Sequence, residues 1–279
     1  MRTSASPRRD ASAPRPASPS PPARPFWCIV LPMFMLAALT VAVIALPASL
    51  VARLLPAAVH AEDFSGSIWH GSAGRITVHA RDAGSVEWRL HPEALLGLRA
   101  AADLRWVRGG FVLDGAASFD RHGLIASDVR GGGPIEDLQG LGLPAGWRGS
   151  ARIHIKELRA AFSGAAATLQ AAVGDIAVAD LSSAQVAEGA DLGGYSLQFA
   201  DSMLPPDSDA TGRIADTGGP LSVDAEIRFS PKQRSVLLSG TLKERADTPA
   251  ALRTQVDDLA RLHARDAQGR LPVDFEFTF

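Results

Sequence analysis

The chain of 279 residues has one cysteine, three lysines and no asparagine. A single thiol, Cys28, excludes a disulfide framework and any zinc site built from paired cysteines. Without asparagine there is no N-glycosylation acceptor. Basic charge is not in excess. The 28 basic and 30 acidic residues leave −2, so no basic surface points to nucleic acid. Apolar residues at 46% and charged residues at 21% are ordinary for a folded chain and exclude disorder throughout. The wealth of Arg, Ala, Gly and Pro reads as codon bias rather than function.

Catalytic patterns are also missing. Seven histidines (His60, His70, His79, His91, His122, His154 and His263) are scattered, and none forms a His-Glu-x-x-His spacing. His79 and His154 fall on the polar phase of strand-like segments and read as solvated side chains. No Gly-x-Ser-x-Gly elbow exists. The stretch Gly140–Gly146 lacks the spacing of a phosphate loop and has Pro144 where a helix would start. The acid pairs Glu136-Asp137 and Asp257-Asp258 are neighbours in sequence and read as solvated charges, not as a general acid and base. The expectation is a non-enzyme with no catalytic residue, no metal, no cofactor and no small-molecule substrate.

Three regions differ in composition. Residues 1–25 hold seven prolines, five arginines and one acid, Asp10, and read as a disordered basic tail. Residues 26–52 carry no charge. Within them Phe26–Leu46 is a run of 21 residues, including Phe26, Trp27, Leu31, Leu36, Val41 and Leu46. At about 1.5 Å per residue it spans roughly 30 Å, the hydrocarbon thickness of a bilayer. Pro32 lies in the first two turns, Pro47 ends the span, and Trp27 sits where interfacial aromatics sit. The tail is +4, and only Arg53 is basic soon after the span. The positive-inside rule then puts the tail in the cytoplasm and residues 53–279 in the periplasm. A cleaved signal peptide, cut at Val59-His60-Ala61, is the competing reading. The long apolar run favours an uncleaved anchor in the inner membrane.

Beyond residue 53 the apolar period is two. Val86–Leu90, Leu104–Val107, Ala151–Lys156, Val223–Phe229 and Val273–Phe279 alternate apolar and polar, as does the shorter Val173–Val178. Glycines punctuate them at 109–110, 131–133, 193–194 and 218–219. The fold expected is mainly β, a Gly-punctuated antiparallel sheet. Helical signals are few. Leu50–Val59 and Pro92–Leu98 give short candidates. Thr248–Ala264 reads as a C-terminal amphipathic helix with Thr248 as N-cap, Pro249 at its first position, and Leu252, Val256, Leu259 and His263 on one stripe. Trp69, Trp88 and Trp106 fall on the apolar phase of strands and are expected as core anchors.

Four phrases recur in order: Pro47-Ala48-Ser49-Leu50, Ser65–Gly71, Trp88–Leu96 and Leu192–Tyr195. Together they resemble the type II secretion system protein N family. The residues carrying the likeness are Gly66, Trp69, Gly71, Trp88, Pro92, Leu95, Leu96, Gly193 and Tyr195. The resemblance implies an accessory inner-membrane subunit that supports export of folded proteins across the outer membrane. Its partners would be other type II secretion subunits, and it implies no catalytic residue. An anchored lipid-handling β-groove protein is the alternative, and it would show a continuous apolar face.

Overall fold

The computed structural model describes residues 46–55, 58–141, 143–163, 166–205, 208–230, 235–261 and 264–278. Residues 1–25 and all but the end of the apolar run, with Phe26, Trp27, Leu31, Leu36 and Val41, lie outside them. Among the described residues no helix is long and apolar enough to cross a membrane.

Thirteen strands form one antiparallel sheet in which spatial order equals chain order. They are β1 (Val59–Gly66), β2 (His70–Val78), β3 (Arg81–Leu90), β4 (Ala100–Arg108), β5 (Phe111–Phe119), β6 (Gly123–Pro134) and β7 (Trp147–Ser163), followed by β8 (Ala166–Ser183), β9 (Val186–Asp201), β10 (Ala210–Gly218), β11 (Leu221–Ser230), β12 (Ser235–Glu244) and β13 (Leu271–Thr278). Among the described residues the one α-helix, α1 (Ala250–Ala260), lies between β12 and β13. Each expected strand segment lies in one of these strands, apart from Phe279, which lies outside the described residues. Every pairing joins sequence neighbours, so the sheet is a meander with two edges, β1 and β13.

Register lines up one apolar face across the sheet. Val86 opposes Trp106 and Trp106 opposes Leu113. Further along, Ile153 opposes Ile176, Ile176 opposes Leu197 and Leu197 opposes Ile214. Ile227 opposes Leu238, which opposes Phe275. A one-residue slip would turn this whole set to the other face, so the alternation itself holds the register. The opposite face carries charges in cross-strand and same-strand pairs, such as Arg213–Asp224 at 3.1 Å and Arg228–Glu226 at 3.1 Å. These pairs are exposed, and such pairs contribute about 0–1 kcal/mol each. The apolar face therefore decides stability.

That face is covered mainly at one end, with the 3-10 turn Ala48–Leu54 adding cover over β1. The 3-10 turn Ile135–Leu138 packs Ile135 over Phe111, Ala151 and Trp106. Helix α1 packs Leu252 and Val256 over Leu192, Leu221 and Leu271. Trp147 and Leu181 touch both groups and join them into one strip. Phe111 and Leu271 are fully enclosed. At the far ends of the same strands the apolar side chains are open: Phe119, Leu158, Phe162, Phe275 and Phe277 are all exposed.

Four expectations are corrected. Trp69 is not on a strand; it lies in the turn between β1 and β2. None of Trp69, Trp88 and Trp106 is fully enclosed, because the face they share is only partly covered. Thr248 is not the N-cap; Pro249 is. Thr248 is buried, and its hydroxyl lies 2.6 Å from the Pro220 carbonyl and accepts the Arg245 amide, which pins the chain before the helix. Leu259 is exposed, since only Leu252 and Val256 of its stripe face the sheet. His263 lies outside the described residues.

Phe111→Ala is expected to cost about 3–5 kcal/mol, the range for emptying an enclosed aromatic site, while Trp69→Ala costs far less. Chemical unfolding followed by far-ultraviolet circular dichroism would rank the two, and equal costs would contradict the one-ended core.

Candidate functional site

Three of the four sequence phrases meet at the open half of the sheet's N-terminal side. The 3-10 turn Ala48–Leu54 carries the first phrase over β1. Pro47 bridges to Ser67, the Leu46 carbonyl accepts the Ile68 amide at 2.9 Å, and Ala48 is enclosed. The second phrase forms the end of the β1–β2 hairpin. The third runs from Trp88 on β3 into the 3-10 turn Pro92–Gly97.

Trp88 ties the second and third phrases together. Its Nε1 donates to the Ile68 carbonyl at 2.9 Å, and its ring stands edge-on to Phe64 at 6.4 Å. Gly71 makes this possible: a Cβ there would lie 2.6 Å from the Trp88 ring, closer than any side-chain contact tolerates. The Leu90 amide donates to the Trp69 carbonyl at 2.7 Å.

These residues wall an apolar pocket of about 470 Å³. Val51 and Leu55 close one side, Phe64, Ile68, Trp69, Trp88 and Leu104 form the floor, and Leu95 stands at the rim. Apart from His91 and the two indoles the wall is carbon. The His91 ring nitrogens face Glu93 at 3.3 Å and Asp103 at 3.2 Å. A larger depression of about 820 Å³ lies on the charged face, beside Arg130, Arg152 and His154. It is a shallow trough, and the His154 ring already faces Asp175 at 3.5 Å. Among the described residues no group of three or more His, Cys, Asp or Glu could hold a metal ion.

The turn beyond the pocket is unusual. Leu96 is 91% exposed and Leu98 84% exposed, in a segment of three leucines, Leu95, Leu96 and Leu98. Leu98 ends the turn with φ 54° and ψ 36°, the left-handed region that a branched apolar residue seldom adopts. Pro92 takes the first position of the turn, where its missing amide costs nothing.

The fourth phrase sits elsewhere, under α1. Gly193 has φ +87°, and a Cβ there would lie 2.2 Å from the Gly218 carbonyl oxygen. The Tyr195 hydroxyl donates to the Leu192 carbonyl at 2.9 Å. Burial pushes the Tyr195 phenol above its ordinary value, with Asp216 and Asp191 adding to the rise. Beside it Arg245 pairs with Asp216 and donates to the Gly219 carbonyl at 2.7 Å. Burial pushes the Asp216 carboxyl up, but the Val223 amide and the Arg245 guanidinium outweigh that and hold it below the ordinary aspartate value.

Sequence reading named Trp69, Trp88 and Leu95 of this wall for a family likeness but did not foresee that they line a cavity. It placed Leu104 on a strand without a role and missed Phe64 and the Asp216–Arg245 pair altogether.

Over residues 57–274 the chain matches the family model for type II secretion system (T2SS), protein N. The chain belongs to the T2SS protein N family. The match spans all but the ends of the sheet and begins after the apolar run. The family is one of secretion-system subunits and not a known enzyme family. No curated protein and no solved structure matches the chain.

Two outcomes follow. Gly71→Ala should displace the Trp88 ring and cost about 1–3 kcal/mol, read as a shift in tryptophan emission together with an earlier unfolding midpoint; an unchanged spectrum and midpoint would contradict the contact. Asp216 has a lower value folded than unfolded, so its pairing stabilises the fold in full above about pH 3.9 and is lost as the pH falls below that. Asp216→Asn should therefore flatten the acid limb of the unfolding curve, and an acid limb as steep as the parent's would argue against it.

Proposed function

We propose that this secretion subunit is an accessory part held at the inner membrane, supporting export of folded proteins across the outer membrane. Family membership over residues 57–274 carries the reading. In it, residues 1–25 are cytoplasmic, the charge-free stretch 26–52 holds the single span, and residues 53–279 are periplasmic. The five upstream arginines favour that orientation. The structure of the first hairpin favours an uncleaved anchor. A cut after Ala61 would remove the Pro47–Ser67 bridge, the enclosed Ala48, and the pairs Val59–Val78 and His60–Thr77.

Such a part works by contact. Among the described residues no strand pairs with the outer edge of β13, and Phe275 and Phe277 stand exposed beside it. An edge of this kind accepts an added strand from a neighbouring secretion subunit, main-chain bonds giving affinity and the two phenylalanines giving selectivity. The continuous apolar face favours the second reading, a lipid-handling groove.

A periplasm-only reporter fused after residue 279 should be active on a membrane-bound product of full length; a product beginning at Glu62, or a silent reporter, would refute the anchor. In a deletion strain, secreted enzymes should accumulate in the periplasm while outer-membrane lipid asymmetry stays intact. Normal export with a leaky outer membrane would instead select the lipid-handling reading.

A further inference from the structure

We propose that the pocket between β1–β4 and the turns Ala48–Leu54 and Pro92–Gly97 binds an acyl chain of a membrane phospholipid, and that Leu96 and Leu98 enter the bilayer interface beside it. The proposal rests on the reading of residues 26–46 as a membrane anchor.

Four observations carry it. The volume of about 470 Å³ falls within the range of about 300–1,000 Å³ seen for small-ligand pockets. The wall offers almost no polar group: the Trp88 indole N–H is already engaged by Ile68, and the His91 nitrogens face carboxylates at the rim. A peptide strand laid here would bury amides with no partner, because the sheet's own backbone groups are paired within its plane. A helix is about 10 Å across, so this space would hold roughly one turn of it. A hydrocarbon chain meets neither difficulty.

The second observation is the mouth. Leu95 lines the rim, while Leu96 and Leu98, next along the chain, are among the most exposed large apolar side chains described. Leucines held out in this way, followed by Arg99, match an interface with acyl chains below and phosphates above. The third is position. The apolar run ends at Leu46, five residues before Val51 of the wall, and the Leu46 carbonyl is bonded to Ile68 of the floor. The fourth is continuity. By register the pocket's Ala102 and Ala100 oppose Ala117 and Phe119, so the cavity leads onto the open apolar half of the sheet, a path for a long, thin ligand.

The test uses the full chain in phospholipid vesicles containing a phosphatidylethanolamine with a diazirine in its acyl chain. After irradiation, labelled peptides are located by mass spectrometry. Adducts are expected in residues 26–46 and on Phe64, Trp69 or Trp88. The paired variant Leu96→Ser/Leu98→Ser alters only exposed side chains and should reduce the pocket adducts roughly tenfold, leaving those in 26–46 unchanged. Filling the cavity with Ala102→Trp should remove the pocket adducts alone. Adducts confined to 26–46, or to 26–46 and residues 95–98, would overturn the acyl site while leaving the anchor standing. The first of these is also the outcome if a partner protein or the chain's own apolar run occupies the pocket. No adducts in 26–46 would overturn the anchor itself, and the proposal with it.

Discussion

An antiparallel meander of thirteen strands has one apolar face, and that face needs cover. Everything else in this structure follows from how little cover the chain supplies. A closed barrel would bury the face against itself, and a sandwich would bury it against a second sheet. Here the cover is one short turn at Ile135–Leu138, one helix of three turns, and the turn at Ala48–Leu54. They enclose Phe111 and Leu271 and leave Phe119, Phe162 and Phe277 open. Exposed apolar area of this extent marks interaction sites in folded proteins, and the proposed function assigns it that role.

Stability and function are thereby separated along the strands. The covered ends hold the core strip, with Trp147 and Leu181 joining its two halves, and the partly buried Asp216–Arg245 pair locks the chain leading into α1. The open ends hold the pocket and the exposed phenylalanines. The polar face, with its ladder of exposed ion pairs, contributes solubility and little energy. The covered half thus carries the stability, and the open half is the part left available to contacts in the proposed reading.

The alternation of apolar and polar residues made the strands and their antiparallel arrangement legible, because a period of two maps directly onto the two faces of a sheet. It could not tell how deeply each residue is buried. Trp88 and Trp106 share one phase, yet Trp106 packs on the enclosed Phe111 at 5.8 Å while Trp88 faces the open pocket. Cover comes from segments distant in sequence, and periodicity does not register it. The helix was legible in place but not in detail. Thr248 has the chemistry of a cap, but the Pro220 carbonyl, 28 residues away, claims its hydroxyl. Gly71 and Trp88, named from separate phrases, pack together in the fold, the indole lying against the glycine. The cavity they enclose depends on the Ala48–Leu54 turn folding back across β1, which no local pattern announces.

The central claim is that the open apolar half of the sheet is the working surface and the charged face is not. A photo-crosslinking amino acid placed in living cells at Phe119, Phe162 or Phe275, and in separate strains at Arg105 or Arg228, tests this directly. The account predicts adducts with envelope components from the three phenylalanine positions and none from the arginines. Adducts from Arg105 and Arg228, with the phenylalanine positions silent, would contradict it.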